Sequence, residues 1–180
     1  MERQFKKICE DLGIKHIGVI VCKEISFLRE LRATCETNQC GKYGQSWCCP
    51  PAIGEMEKIR AELKQYEKGL VIQTIQELED CFDFEGMIKG KRFHKGKLLE
   101  ILREAKERLP QLQLLPLSVG GCDECASCTY VEGKPCRMPK RAIPGMEGYG
   151  IDVFQMTKSA GLHYNNGPKT VSYVSFIGWH

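Results

Sequence analysis

The chain has 180 residues, of which 42% are hydrophobic and 27% charged, and its net charge is +3. That length and composition suit one compact domain, residues 1–180, with a core of its own, and the charge is too close to neutral to point to nucleic acid or a membrane surface. No apolar run is long enough to cross a bilayer, and a G-x-G-x-x-G turn, a P-loop and a G-x-S-x-G elbow are all missing, so neither nucleotide nor serine chemistry is indicated.

Eleven cysteines are the conspicuous feature. With no positively charged leader and apolar signal segment, that density is expected of a protein of the reducing cytoplasm, where it means metal or redox chemistry rather than disulfides.

In chain order, Glu2 to Leu12 reads as an amphipathic helix with Phe5, Ile8, Cys9 and Leu12 on one face, stopped by Gly13. His16 to Cys22 is apolar and β-branched enough for a buried strand, and Glu24 to Ala33 reads as a helix through Ile25, Leu28 and Leu31. The segment 34–54 has no periodicity and is expected to be a metal loop. Glu55 to Lys68 is a helix ended by Gly69, and Leu70 to Ile75 is a strand. A long helix fills part of Met87 to Leu109 before Pro110 stops it, and Leu112 to Val119 is a third strand that runs into Gly120-Gly121. Gly145 to Ala160 reads as another helix, and Thr170 to Ile177 as a last strand. Interleaved helices and strands make the class α/β, a small sheet of about four strands covered by helices, with two cysteine-rich metal-binding loops at 34–54 and 120–141. Both are connections, which is where chemistry usually sits.

Cys122, Cys125, Cys128 and Cys136 are spaced C-x2-C-x2-C-x7-C. Three thiolates at equal short spacing can wrap three corners of an iron-sulfur cube while a more distant cysteine supplies the fourth. A tetrahedral zinc site usually takes its ligands in pairs, so the spacing favours a [4Fe-4S] cluster and leaves zinc as the alternative.

The other group is Cys35-x4-Cys40, followed by Trp47-Cys48-Cys49-Pro50-Pro51. Cys-Pro is how ferredoxin-type ligand runs end, and the prolines are expected to hold the backbone after Cys49 extended. Adjacent cysteines rarely bind one metal together, so Cys49 is the favoured ligand and Cys48 an alternate. Tyr43 and Trp47 are placed to shield a cluster from water or simply to pack.

These runs, together with Met146-Glu147-Gly148-Tyr149-Gly150-Ile151-Asp152-Val153, resemble the predicted metal-binding proteins grouped as domain of unknown function 2284. The resemblance covers nearly the whole chain. It implies a prokaryotic, cysteine-rich, metal-binding protein of iron-sulfur type, and it carries no established reaction. The Cys48 doublet departs from the pattern.

Eight candidate thiols, Cys35, Cys40, Cys48, Cys49, Cys122, Cys125, Cys128 and Cys136, suffice for one or two cubanes, and Cys49 and Cys136 are candidates to swap between them. If Cys48 is not a ligand, the first site has three thiols and an open iron, which turns an electron carrier into a candidate enzyme. The run Pro144 to Gly150 is expected to open a helix whose free amides stabilise cluster sulfides, or to be a plain turn; Glu147 and Asp152 are acid-base candidates only if they line the open iron, and Arg137 pairs with the cluster or with a surface carboxylate.

Cys9 and Cys22 read as buried packing residues, Cys81 as exposed or a remote ligand, and the four histidines as ordinary polar residues. The basic run Lys89 to Lys97 reads first as a solvated helix entrance; the acidic run Glu77 to Glu85 cancels much of its field, which makes nucleic acid an unfavoured partner, and a redox protein is an equal candidate to dock there through weak, salt-sensitive contacts. The functional readings are an electron-transfer or accessory redox protein, an iron-sulfur enzyme with an open iron, and a zinc-stabilised interaction module.

Overall fold

The structure, a computed structural model, describes residues 1–180. In chain order its elements are helix α1 (Glu2–Asp11), strand β1 (His16–Val21), helices α2 (Arg29–Glu36) and α3 (Met56–Leu63), strand β2 (Lys68–Glu77), helix α4 (Phe84–Arg108), strand β3 (Leu114–Leu117), helix α5 (Val153–Ser159) and strand β4 (Thr170–Trp179). The strands form one antiparallel sheet in the order β1-β2-β4-β3. This is an α/β fold of four strands and five helices, as the interleaved pattern implies.

The sheet is covered on both faces because its central strands are apolar at consecutive positions. Leu70 lies opposite Ile177, and Val71 opposite Phe176. By the twofold period of a strand these two pairs point to opposite faces. One face packs Leu70, Ile72, Ile177 and Trp179 against Phe5, Ile8 and Cys9 of α1 and Leu98, Ile101 and Ala105 of α4. The other packs Val71, Val174 and Phe176 against Ile59 and Leu63 of α3 and Met156 of α5. Each fully buried aliphatic or aromatic side chain contributes about 1.5–3 kcal/mol by its removal from water.

The two central strands, β2 and β4, run longer than the apolar pattern indicates. Their ends, Lys68 and Glu77 on β2 and Thr170 and Trp179 on β4, pair with each other. Pro116 interrupts the ladder donors of β3, which lies at the sheet edge and pairs with β4 alone.

Three helices depart from the sequence pattern. The chain after β1 makes a single 3-10 turn, Cys22–Glu24, and then pairs with the Gly150–Asp152 backbone through Leu28 N to Gly150 O (2.8 Å) and Asp152 N to Ser26 O (3.0 Å). That pairing delays α2 to Arg29, so the helix ends in Cys35-Glu36 and Cys35 sits in its last turn rather than in a loop. α3 stops at Leu63, before the expected Lys68, because the chain must turn to enter β2. The third departure lies beside the cysteines: 145–151 is a run of turns, and the helix begins only at Val153, capped by Asp152, which accepts from Gln155 N at 3.0 Å.

The long connections that carry the cysteines lie between α2 and α3 and between β3 and α5. β3 delivers the chain into Gly120-Gly121-Cys122, α2 delivers it into Cys35, and α4 runs alongside with Lys91 and Lys95 turned toward the junction. No helix is long and apolar enough to cross a membrane.

Candidate metal centre

The two loops meet and between them line two cavities. The first, of about 180 Å³, is lined by Cys48, Cys122, Cys125, Cys128 and Cys136, with Trp47 and Arg137 among its other walls. The second, of about 330 Å³, is lined by Cys35, Cys40, Cys48 and Cys49, with Lys42, Tyr43, Lys91 and Glu147. All eight candidate thiols therefore lie on one of the two cavities, and Cys48 lies on both. They ring the spaces rather than converge: no three His, Cys, Asp or Glu side chains are gathered closely enough to hold a single metal ion. All eleven cysteines are free thiols.

The Cys48-Cys49 doublet is divided between the cavities. Cys48 is buried and lines the first cavity beside Cys122. Interaction with the Cys122 thiol, reinforced by burial, drives the Cys48 thiol strongly upward, and the same interaction holds Cys122 below its ordinary value. Cys49 faces the other way. Burial pushes its thiol up, the Ser46 side chain opposes that, Cys40 and Cys35 add to it, and Lys42 opposes it. Burial likewise raises Cys35, with Arg32 opposing and Cys40 and Glu147 adding to it.

Backbone amides already point at two of the sulfurs. Met138 N donates to Cys136 Sγ at 3.4 Å, and the Glu124 amide donates to Cys122. Amide donation two residues beyond a cysteine stabilises thiolate charge, which is what a sulfur bound to metal requires. The donor set, thiols from two loops with amides turned to them, fits a metal-thiolate site.

The loops are held in this arrangement by contacts that leave little slack. Gly121 sits beside Cys49 and Lys42, where a Cβ would be in ordinary contact with Cys49 Sγ and the Lys42 side chain, each at 3.4 Å. Trp47 crosses between the loops, stacking edge-on against Tyr130 with centroids 4.9 Å apart and donating Nε1 to Lys134 O at 3.0 Å. Arg32 ties α2 to the carbonyls of Gly148 and of Gly54, the latter at 2.6 Å. Arg137 spans its own loop, donating to Ser127 O at 2.8 Å and lying 3.7 Å from Glu132.

Beside the cysteines lies a charge cluster that the linear pattern does not reveal. Lys95, Lys91 and Lys42 surround Asp123 at 2.9, 3.1 and 3.9 Å, and Lys95 also donates to Gly121 O at 2.5 Å. Burial alone would raise the Asp123 carboxyl, but the lysines outweigh it and hold it below the usual carboxylate range. Lys91 and Lys95 read from the sequence as part of a solvated basic run. Their spacing of four residues on a helix, with an acid inside the cysteine motif, was the available signal.

Two expectations about these loops are corrected. The run Pro144 to Gly150 does not open a helix with free amides but forms the alternative, a plain turn: Met146, Gly148, Tyr149, Gly150 and Ile151 donate to Ser118, Gly145, Met146, Glu147 and Met146 carbonyls respectively. The backbone after Cys49 is not extended, because Ile53 N and Gly54 N return to Cys49 O and Pro51 O at 3.3 and 2.9 Å and close a turn.

The model of the predicted metal-binding protein family DUF2284 matches residues 18–178. The chain belongs to this family. In this DUF2284 member the match begins inside β1 and spans both cysteine loops and both cavities. No curated protein and no solved structure gives a significant match.

The remaining cysteines lie elsewhere. Cys9 and Cys22 are fully buried in the two cores, where burial pushes each thiol up to about 12, and Cys81 is exposed near the start of α4. Among the histidines His94 is not an ordinary surface residue: it is fully buried between Thr74 Oγ1 (2.9 Å) and Ser175 Oγ (2.7 Å).

Proposed function

We propose that this chain is an iron-sulfur protein holding two [4Fe-4S] clusters and working in electron transfer or as an accessory redox protein. One cluster is assigned to Cys122, Cys125, Cys128 and Cys136, with Cys48 against it, and the other to Cys35, Cys40 and Cys49. The observation that carries the reading is the gathering of eight thiols from two distant loops around two cavities that share Cys48 as a wall. Thiols that ring a space suit a group whose own sulfides fill the middle, whereas one zinc ion needs its sulfurs drawn together at about 2.3 Å from a common point.

Bound clusters would supply one-electron chemistry, and the chain's own residues set its conditions. Trp47 restricts water at the first cavity, the amides of Glu124 and Met138 offset thiolate charge, and Lys42 and Lys91 offset the negative charge of the second. Sharing a wall puts the two groups close enough for an electron to pass between them. The surface around the lysines suits a redox partner protein that docks by weak, salt-sensitive contacts.

A second reading, an iron-sulfur enzyme, is favoured by one observation: Cys48 lines both cavities, and counted to the first it leaves the second with three thiols, Cys35, Cys40 and Cys49. A redox titration followed by electron paramagnetic resonance tests the main reading. Two reversible one-electron steps with magnetically interacting signals are expected. A protein that takes up zinc and no sulfide, and shows no redox step, is instead a metal-stapled interaction module.

A further inference from the structure

Resting on the two-cluster reading, the geometry points to Glu147 as the fourth, oxygen ligand of the cluster assigned to Cys35, Cys40 and Cys49. Its carboxylate lines that cavity together with the three thiols, near enough to Cys35 for its charge to be felt there. The side chain is held in place from behind: Gly120 N donates to Oε2 at 3.1 Å and to Oε1 at 3.3 Å. A carboxylate offers about four lone-pair sites, so one amide leaves most of its donor capacity for a metal.

The backbone is shaped around this placement. A Cβ on Gly145 would lie 2.7 Å from Glu147 Oε2 and 2.5 Å from Gly120 O, so only glycine lets the carboxylate fold back to the amide. Asp123, the other acid on the cavity, is occupied by three lysines, whereas Glu147 takes part in no ion pair and has the Gly120 amide as its hydrogen-bond partner. The rival fourth ligand, Cys48, also lines the first cavity, beside Cys122. Lys42 and Lys91 on the same cavity balance the charge that a carboxylate adds to a thiolate-bound cluster.

A carboxylate is a harder donor than a thiolate and holds iron less firmly against soft ligands. The Glu147 corner is therefore the exchangeable one, and the class of ligand it admits is a small thiol or thiolate.

The test is ⁵⁷Fe Mössbauer spectroscopy of the anaerobically prepared full chain beside Glu147→Cys, Glu147→Gln and Cys48→Ser, each with iron and sulfide counted. The wild type is expected to show about one iron in eight with an oxygen-ligated signature, and an added small alkyl thiol should shift that iron alone. Glu147→Cys should abolish the distinct iron at unchanged metal content, Glu147→Gln, which can still accept from Gly120, should alter it, and Cys48→Ser should retain it. Eight sulfur-ligated irons in the wild type, or a distinct iron that arises only in Cys48→Ser, would overturn this assignment and leave the two-cluster reading standing. A chain without sulfide would remove the two-cluster reading itself, and the ligand assignment with it.

Discussion

Cys48 and Cys49 are neighbours in the chain that stand differently in the site: Cys48 lines both cavities, beside Cys122 in the first, whereas Cys49 lies only on the second, with Cys35 and Cys40. A doublet that looks redundant in the sequence is thus a divider between two sites. Replacing one member should not reproduce the effect of replacing the other.

Cys49→Ser should therefore cost the protein roughly half its iron and sulfide, since one cubane of two loses a ligand. Cys48→Ser should keep close to full metal content, because Cys122, Cys125, Cys128 and Cys136 still complete their cluster, and should change the line shape of that cluster's resonance signal. Cys22→Ala, a buried position away from both cavities, should leave metal untouched and cost on the order of 1 kcal/mol in stability. Metal analysis and chemical denaturation of the three variants check this.

Asp123 pairs with three lysines, two of which, Lys42 and Lys91, line the second cavity. Asp123→Asn removes one negative charge from the Lys42, Lys91 and Lys95 group, so the reduced, more negative state of a nearby cluster becomes easier to reach. Its midpoint potential should rise, and Lys91→Ala should lower it. The side chain of Asp123 is half exposed, so both shifts should shrink as salt is added. Potentiometric titration at two ionic strengths reads both the direction and the salt effect.

Gly145→Ala places a methyl group against Gly120 O and the Glu147 carboxylate. The clash is with backbone on one side, so relief by side-chain movement is not available. A loss of about 1–3 kcal/mol in stability is expected, with the iron-sulfur signal altered through Glu147. Gly96→Ala, where an added Cβ meets nothing within 4 Å, should cost nothing comparable.

The buried histidine gives the fold a pH dependence of known sign. Burial, with the charge of Lys95 nearby, lowers His94 from 6.5 to about 4. The unfolded chain then takes up the proton first as pH falls, so the stability is whole above pH 6.5 and is lost as pH drops toward 4. That interval corresponds to about 3 kcal/mol. His94→Gln, which keeps a hydrogen-bonding group between Thr74 and Ser175, should unfold with a flatter pH profile across this window than the wild type.

Periodicity made the sheet and its covering helices legible, because Leu70, Val71, Ile72 and the run Thr170 to Ile177 must be buried wherever the chain goes. It failed where pairing between distant segments decides the outcome. The Ser26–Leu28 segment pairs with Gly150–Asp152 and postpones α2, and the turns at 145–151 bond to one another and to Ser118 instead of continuing into α5. The thiols were identifiable from spacing alone. Their division between two cavities, the lysines on Asp123 and the placement of Glu147 were not, since each depends on which loop faces which.

Whether the two cavities hold iron-sulfur clusters is tested most directly by anaerobic purification with iron, zinc and acid-labile sulfide counted per chain. About eight irons with matching sulfide are expected. Zinc bound without sulfide would contradict the two-cluster reading.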